Sequence, residues 1–154
     1  MTKLKEGQKA PFFEGKDQSG NVVRLDDFKG RKVILYFYPK DNTPGCTSEA
    51  CNLRDNYREL TDKGFAVIGI SGDSEKSHKK FAEKYNLPFP LIADTDRKIM
   101  TDWGTFGEKK MYGKSFLGIN RTTFIINEEG IIEKIIKKVE TSKHTEQIYT
   151  LYKE

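Results

Sequence analysis

Residues 33–70 read VILYFYPKDNTPGCTSEACNLRDNYRELTDKGFAVIGI, and this stretch decides the fold. Its two ends, Val33 to Tyr38 (VILYFY) and Phe65 to Ile70 (FAVIGI), are unbroken apolar runs of strand-forming residues. A run that is apolar at every position, instead of every second one, belongs to a strand covered on both faces. Between them, over Thr43 to Leu60, Cys46, Ala50, Leu53, Tyr57 and Leu60 recur at helical spacing and form one apolar stripe. Strand, helix, strand in that order predicts a parallel crossover, and therefore a layered α/β fold.

Downstream, the pattern predicts a helix from Ser74 or Glu75 to Tyr85, closed by Asn86-Leu87-Pro88, with Phe81 and Tyr85 turned inward. Arg121 to Ile126 (RTTFII) reads as a strand, Asn127-Glu128-Glu129-Gly130 as a tight turn, and Ile131 onward as the hairpin partner. Ile131, Ile132, Ile135, Ile136 and Val139 also fit a helical stripe, but their β-branching and the glycine turn favour an extended segment. Ser142 to Tyr152 reads as an amphipathic helix. Gly104 to Asn120 shows no period, which predicts a loop folded onto the core by Phe106, Met111, Tyr112, Phe116 and Leu117, with a docking surface beside the active site as its alternative role.

A chain of 154 residues without repeats or a linker-like tract is expected to form one domain over residues 1–154. No apolar run approaches the ~18 residues of a membrane span, so no membrane is expected. Met1 to Ala10 alternates charged and small polar residues without the apolar stretch of a secretory signal, which points to the cytoplasm. The net charge of +4 comes from interleaved charges, as in Glu75-Lys76, Glu83-Lys84 and Glu133-Lys134, and gathers on no recognisable nucleic-acid module. Nucleic acid is therefore not an expected partner.

The chain has two cysteines, Cys46 and Cys51, and in a reducing compartment a close pair is more often redox-active, catalytic or metal-binding than a passive staple. Thr43 is a plausible N-cap and Pro44 suits the first helical position, which puts Cys46 in the first turn. Unpaired N–H groups and the positive end of the helix dipole favour an anion there, and the thiolate is the nucleophilic form of cysteine. Read alone, Cys46 is better taken as a small buried hydrophobe on its apolar stripe. Cys51 weighs against that, because it lies about 140° around the helix, among Asn52, Arg54 and Asp55. On an ideal helix the two Cα atoms stand ~8 to 9 Å apart, beyond the ~7 Å limit for a disulfide. A bridge between them therefore requires the first turns to unwind, which would make the pair a conformational switch.

Pro39, Thr43 and Cys46 reproduce the P-x-x-x-T-x-x-C signature of peroxiredoxins, and Phe37 to Asp55 (FYPKDNTPGCTSEACNLRD) resembles the subgroup called bacterioferritin comigratory protein or peroxiredoxin Q. Gly69 to Leu91, Gly107 to Gly113 and Gly118 to Phe124 are similar to the same subgroup, so the resemblance covers nearly the whole chain. It implies a thioredoxin-like α/β fold with peroxiredoxin insertions, a central mixed β-sheet and flanking helices. It also implies a thiol peroxidase without cofactor or metal, in which Cys46 attacks hydrogen peroxide or an organic hydroperoxide and Cys51 resolves the sulfenic acid as an intramolecular disulfide. Thioredoxin or a similar dithiol would recycle that disulfide. By the same resemblance Thr43 and Arg121 orient thiolate and peroxide, and Pro39 shields the site from water. A monomer is expected, with a dimer as the alternative.

Other classes fit less well. A disulfide reductase needs two residues between its cysteines, and here there are four. A metal module built from Cys46, Cys51, His78 and His144 lacks ligand-like spacing, and His78 reads as a residue on the exposed face of its helix.

Overall fold

The structure is a computed structural model that describes residues 2–153. Strands β3 (Lys32–Phe37) and β4 (Phe65–Ser71) lie side by side in parallel, from Lys32 opposite Phe65 to Phe37 opposite Ile70. Their unbroken apolar runs are buried on both faces, as predicted. Strand β5 (Leu91–Ala93) extends the sheet in parallel beyond β4. On the other side β8 (Thr122–Ile126) runs antiparallel to β3, and β9 (Ile132–Ile136) antiparallel to β8. The sheet is thus mixed, in the order β5-β4-β3-β8-β9.

Alternate side chains of these strands feed two cores. Val33, Leu35, Phe37, Ile68, Ile70 and Phe124 pack with Phe13, Ile99, Met100 and Trp103 on one face. On that face Trp103 meets Phe124 edge-on, with ring centroids 4.8 Å apart, and is fully buried. Ile34, Tyr36, Tyr38, Val67 and Ile125 point the other way, onto the helices. Those helices are α1 (Pro44–Asp55), α2 (Tyr57–Asp62), α3 (Glu75–Tyr85) and α5 (His144–Thr150); α4 (Lys98–Asp102) lies on the tryptophan side.

The predicted helix over Thr43 to Leu60 is two helices, because Asn56 leaves helical geometry between them. Helix α3 starts on Ser74, whose Oγ accepts from the Ser77 N–H at 3.1 Å, and ends on Asn86 at φ 52°. A side-chain acceptor at the start and a left-handed residue at the end are ordinary helix stops. The C-terminal helix is shorter than its pattern, with a 3₁₀ turn over Thr141–Lys143 before α5.

Gly104 to Asn120 is not the expected loop. It holds a hairpin of β6 (Phe106–Met111) and β7 (Lys114–Ile119), paired from Phe106 opposite Ile119 to Met111 opposite Lys114. Tyr112 and Gly113 make the turn, at φ 54° and 75°, the left-handed pair that matches strand twist. Nor do its aromatic residues all fold inward: Phe106 packs on the core, whereas Phe116 and Leu117 are 43% and 70% exposed. With so little of the ribbon buried, no alternation was written into its sequence. A second hairpin, β1 (Glu14–Lys16) with β2 (Val22–Arg24), and the short α4 also carried no signal in the pattern.

Candidate active site

The chain leaves β3 at Phe37, crosses Pro39 to Asn42 and enters α1 at Pro44, so the end of the central strand delivers Cys46 to the first helical turn. Thr43 occupies the N-cap in extended geometry, but its hydroxyl does not cap the helix. It donates instead to the Lys40 carbonyl at 2.8 Å and braces the loop. Asn42, at φ 59°, turns the loop, and its side-chain oxygen accepts from Tyr85 Oη at 3.2 Å.

A second brace comes from His78. This residue is fully buried, contrary to its reading as a surface decoration of its helix. Its Nδ1 lies 2.7 Å from Asp41 Oδ2 and its Nε2 3.0 Å from the Ile92 carbonyl oxygen. Asp41 also accepts from Tyr38 Oη at 2.6 Å and Ser77 Oγ at 2.8 Å, while its backbone N–H donates to Asp73 Oδ2 at 2.9 Å. Burial of a polar cluster is tolerated when each member is bonded, and here the bonds fix the loop before Cys46. Asp41, Asp73 and His78 offer ligand atoms within 4.8 Å of one another, but these atoms are already engaged by protein donors and acceptors. That cluster contains neither cysteine.

Cys46 is 1% exposed and sits beside Ala50 and Leu53 on the inner face of α1. Arg121, immediately before β8, reaches across so that Nη2 donates to Cys46 Sγ at 3.2 Å and Nη1 to Glu49 Oε1 at 2.7 Å. Gly45 makes room for this approach, since a Cβ there would stand 3.3 Å from Arg121 Nη2. Burial works against the Arg121 charge, yet Glu49 and Cys46 outweigh it and hold the guanidinium above its ordinary range. A fixed cation bonded to sulfur favours negative charge there and can also receive charge on an attached oxygen.

Glu49 and His144 were not legible as members of this site. Glu49 follows Cys46 by three residues, which on a helix is the same face, and that spacing is the signal that could have found it. It is fully buried, and burial, opposed by Arg121, pushes its carboxyl up to about 7. Its Oε2 lies 3.5 Å from His144 Nε2 and makes no hydrogen bond among the described residues. His144, also fully buried, has Nδ1 3.0 Å from Gln147 Oε1 and Nε2 2.8 Å from Thr123 Oγ1. Burial pushes it down to about 4, with Arg121 adding to the effect and Gln147 opposing it.

Cys51 is half-buried on the same helix, and both cysteines are free. Burial raises the Cys51 thiol, with Arg54 opposing it and Asp55 adding to it. Pro39 is exposed and lines a cavity of about 430 Å³ together with Lys40, Arg97, Phe106, Phe116 and Leu117. The structure therefore unites Cys46 with Arg121, puts Cys51 farther along α1, and leaves Thr43 and Pro39 as parts of the delivering loop.

The AhpC/TSA family model matches residues 6–135. The chain is 48% identical over 145 residues to the putative peroxiredoxin bcp of Coxiella burnetii, covering 94% of this chain and 96% of that one. It is 45% identical over 146 residues to peroxiredoxin Bcp of Bacillus subtilis, covering 94% and 93%. Among solved structures, the Xanthomonas campestris bacterioferritin comigratory protein, studied for its alkyl peroxide reduction activity, superposes with a TM-score of 0.88 at 32% identity, covering 96% of each chain.

Proposed function

The chain belongs to the AhpC/TSA family, as a thiol peroxidase with the thioredoxin-like fold of the Bcp and peroxiredoxin Q proteins, and from that premise we propose that Cys46 attacks the hydroperoxide and Cys51 resolves the product. The observation that carries this reading is the 3.2 Å contact between Arg121 Nη2 and Cys46 Sγ. The Cys46 thiolate attacks the terminal oxygen of the peroxide, the S–O bond forms as the O–O bond breaks, and the expelled hydroxide or alkoxide takes a proton from solvent and leaves as water or an alcohol, with a sulfenic acid left on the sulfur. Arg121 offers its N–H groups to the charge that moves from sulfur to oxygen. Thr43 and Pro39 bound the loop that delivers Cys46; we assign to Thr43 the orientation of sulfur and peroxide, and to Pro39 the exclusion of water.

Resolution follows by local unfolding. Cys46 and Cys51 share one helix, and at five residues' separation a helix holds their Cα atoms ~8 to 9 Å apart. Helix α1 opens, the Cys51 sulfur displaces water from the sulfenic acid, and an external dithiol of the thioredoxin kind reduces the disulfide by exchange. The substrates are hydrogen peroxide and alkyl hydroperoxides, the latter in keeping with the activity named for the Xanthomonas relative. The protein works as a single-domain cytoplasmic monomer; no helix among the described residues is long and apolar enough to cross a membrane.

The test is rapid mixing of the reduced protein with hydrogen peroxide and an alkyl hydroperoxide, followed by peptide mapping. Fast loss of one thiol and then a Cys46–Cys51 linkage within one chain is expected. A sulfenic acid on Cys51, or a linkage found only between chains, would overturn the assignment.

A further inference from the structure

The site contains a buried acid and a buried base that the steps above do not use. The Gln147 amide is oriented by its surroundings: its Nε2 donates to the Lys138 carbonyl at 2.7 Å and its Oε1 accepts from the Glu140 N–H at 3.0 Å. The atom facing His144 Nδ1 is therefore an acceptor, so Nδ1 carries a hydrogen. In a neutral ring that leaves a lone pair on Nε2, directed toward Thr123 Oγ1 and Glu49 Oε2. An ionised Glu49 would set an unpartnered carboxylate oxygen against that lone pair with both residues fully buried, an arrangement that is costly. One proton, on Glu49 Oε2 or His144 Nε2, removes the conflict.

We propose that Glu49 and His144 together hold one proton while Cys46 is a thiolate and release it once the sulfur is oxidised, so that the Arg121 charge, bonded to both groups throughout, is balanced by the sulfur during attack and by Glu49 afterwards. This rests on Cys46 being the attacking sulfur. The charges support it. Thiolate, guanidinium and a singly protonated pair sum to zero in the reduced site. When the sulfur becomes a neutral sulfenic acid, the buried cluster stays neutral only if the pair gives up its proton and the Glu49 carboxylate neutralises Arg121.

The step balances. Thiolate, hydroperoxide and the protonated pair give sulfenic acid, alcohol and the deprotonated pair; the S–O bond forms as the O–O bond breaks, and sulfur is oxidised as the peroxide is reduced. The departing alkoxide takes a proton at the mouth of the site and the pair returns one to solvent. Glu49 makes its contacts with Arg121 and His144 and has no hydrogen bond to the sulfur among the described residues, so it is a positioning residue acting through Arg121. The titratable groups facing it are Cys46 on its own helix, Arg121 before β8, His144 on α5 and Tyr36 on β3, whose buried hydroxyl makes no hydrogen bond among the described residues. Burial drives the Glu49 carboxyl up and the His144 imidazole down, which puts the shared proton on Glu49.

The experiment is the pH dependence of Cys46 oxidation in a single turnover, for wild type, Glu49→Gln and Cys46→Ser. In wild type the rate constant is expected to fall about three- to tenfold from pH 6 to pH 8, as the pair loses its proton and Glu49 competes for Arg121. Glu49→Gln, which keeps the shape and neutrality of the acid, should remove this falling limb whatever its absolute rate. Isotope-edited infrared spectra of wild type should show a protonated glutamate carbonyl in the reduced protein that disappears on adding peroxide, a readout that needs no substitution. Superimposable profiles for wild type and Glu49→Gln, or an ionised Glu49 and neutral His144 in the reduced protein, would overturn the proposal while leaving Cys46 in its role. Unchanged peroxide consumption by Cys46→Ser would instead overturn the role of Cys46 on which it rests.

Discussion

Asn52 Oδ1 accepts a hydrogen bond of 2.7 Å from the backbone N–H of Thr145, tying the helix that carries both cysteines to the start of α5. The same side chain donates to the Ser142 carbonyl at 3.1 Å. Because α1 must open for Cys46 to reach Cys51, this clasp opposes the opening. Asn52→Ala should lower global stability by about 1–2 kcal/mol and speed disulfide formation after oxidation several-fold, while peroxide attack changes less. Stopped-flow traces that separate the two phases check this; an unaltered second phase would remove Asn52 from the opening.

Cys51→Ser should complete one turnover and stop, leaving a Cys46 sulfenic acid that a dimedone-type reagent traps, with recycling by thioredoxin lost. Cys46→Ser should consume no peroxide. Equal loss of the first turnover in both variants would contradict the separate roles.

Arg121 bridges an acid and a sulfur with two nitrogens of one rigid plane, which an ammonium cannot reproduce. Arg121→Gln should slow Cys46 oxidation by about 10²- to 10³-fold, the usual loss for a donor that meets developing charge. Arg121→Lys should recover only part of this. Competition kinetics against a reference peroxidase measures both, and near-complete rescue by Lys would show that charge alone suffices.

The Glu49 and His144 shifts oppose each other in the pH dependence of stability. Glu49 rises from 4.5 to about 7 on folding, so its contribution is present below pH 4.5 and is lost as pH rises through 7. His144 falls from 6.5 to about 4, so its contribution is present above pH 6.5 and is lost as pH falls through 4. Between pH 4.5 and 6.5 the folded pair and the unfolded pair each hold one proton, and their slopes cancel. Glu49→Gln removes one side of the balance: its stability should decline as pH falls through this window, by up to ~1.4 kcal/mol per unit. Urea titrations at several pH values test this, and parallel curves for variant and wild type would contradict it.

The sheet centre was legible because β3 and β4 are apolar at every position, a pattern few other environments produce. Cys46 and Cys51 were legible through their spacing, and Arg121 through resemblance alone, since an arginine at a strand start has no signal of its own. The hairpin β6–β7 was hidden because most of its surface meets solvent, so nothing imposes alternation. His78 was misread because its partners, Asp41 and the Ile92 carbonyl, lie 37 and 14 residues away, and a buried polar residue is indistinguishable from an exposed one until its partners are known. His144 likewise carries no signal of its own, because Thr123 and Glu49 come near it only in the folded chain.

Trp103 is the sole indole of the chain, and it packs against Phe37 and Phe124 on the face of the sheet turned away from α1. Its emission is therefore expected to follow collapse of the whole molecule and to change little in the opening of α1 proposed above. On adding peroxide, a fluorescence trace that stays flat while circular dichroism loses helical signal is the expected optical fingerprint of that local opening, and a large emission change would place the rearrangement in the tryptophan core instead.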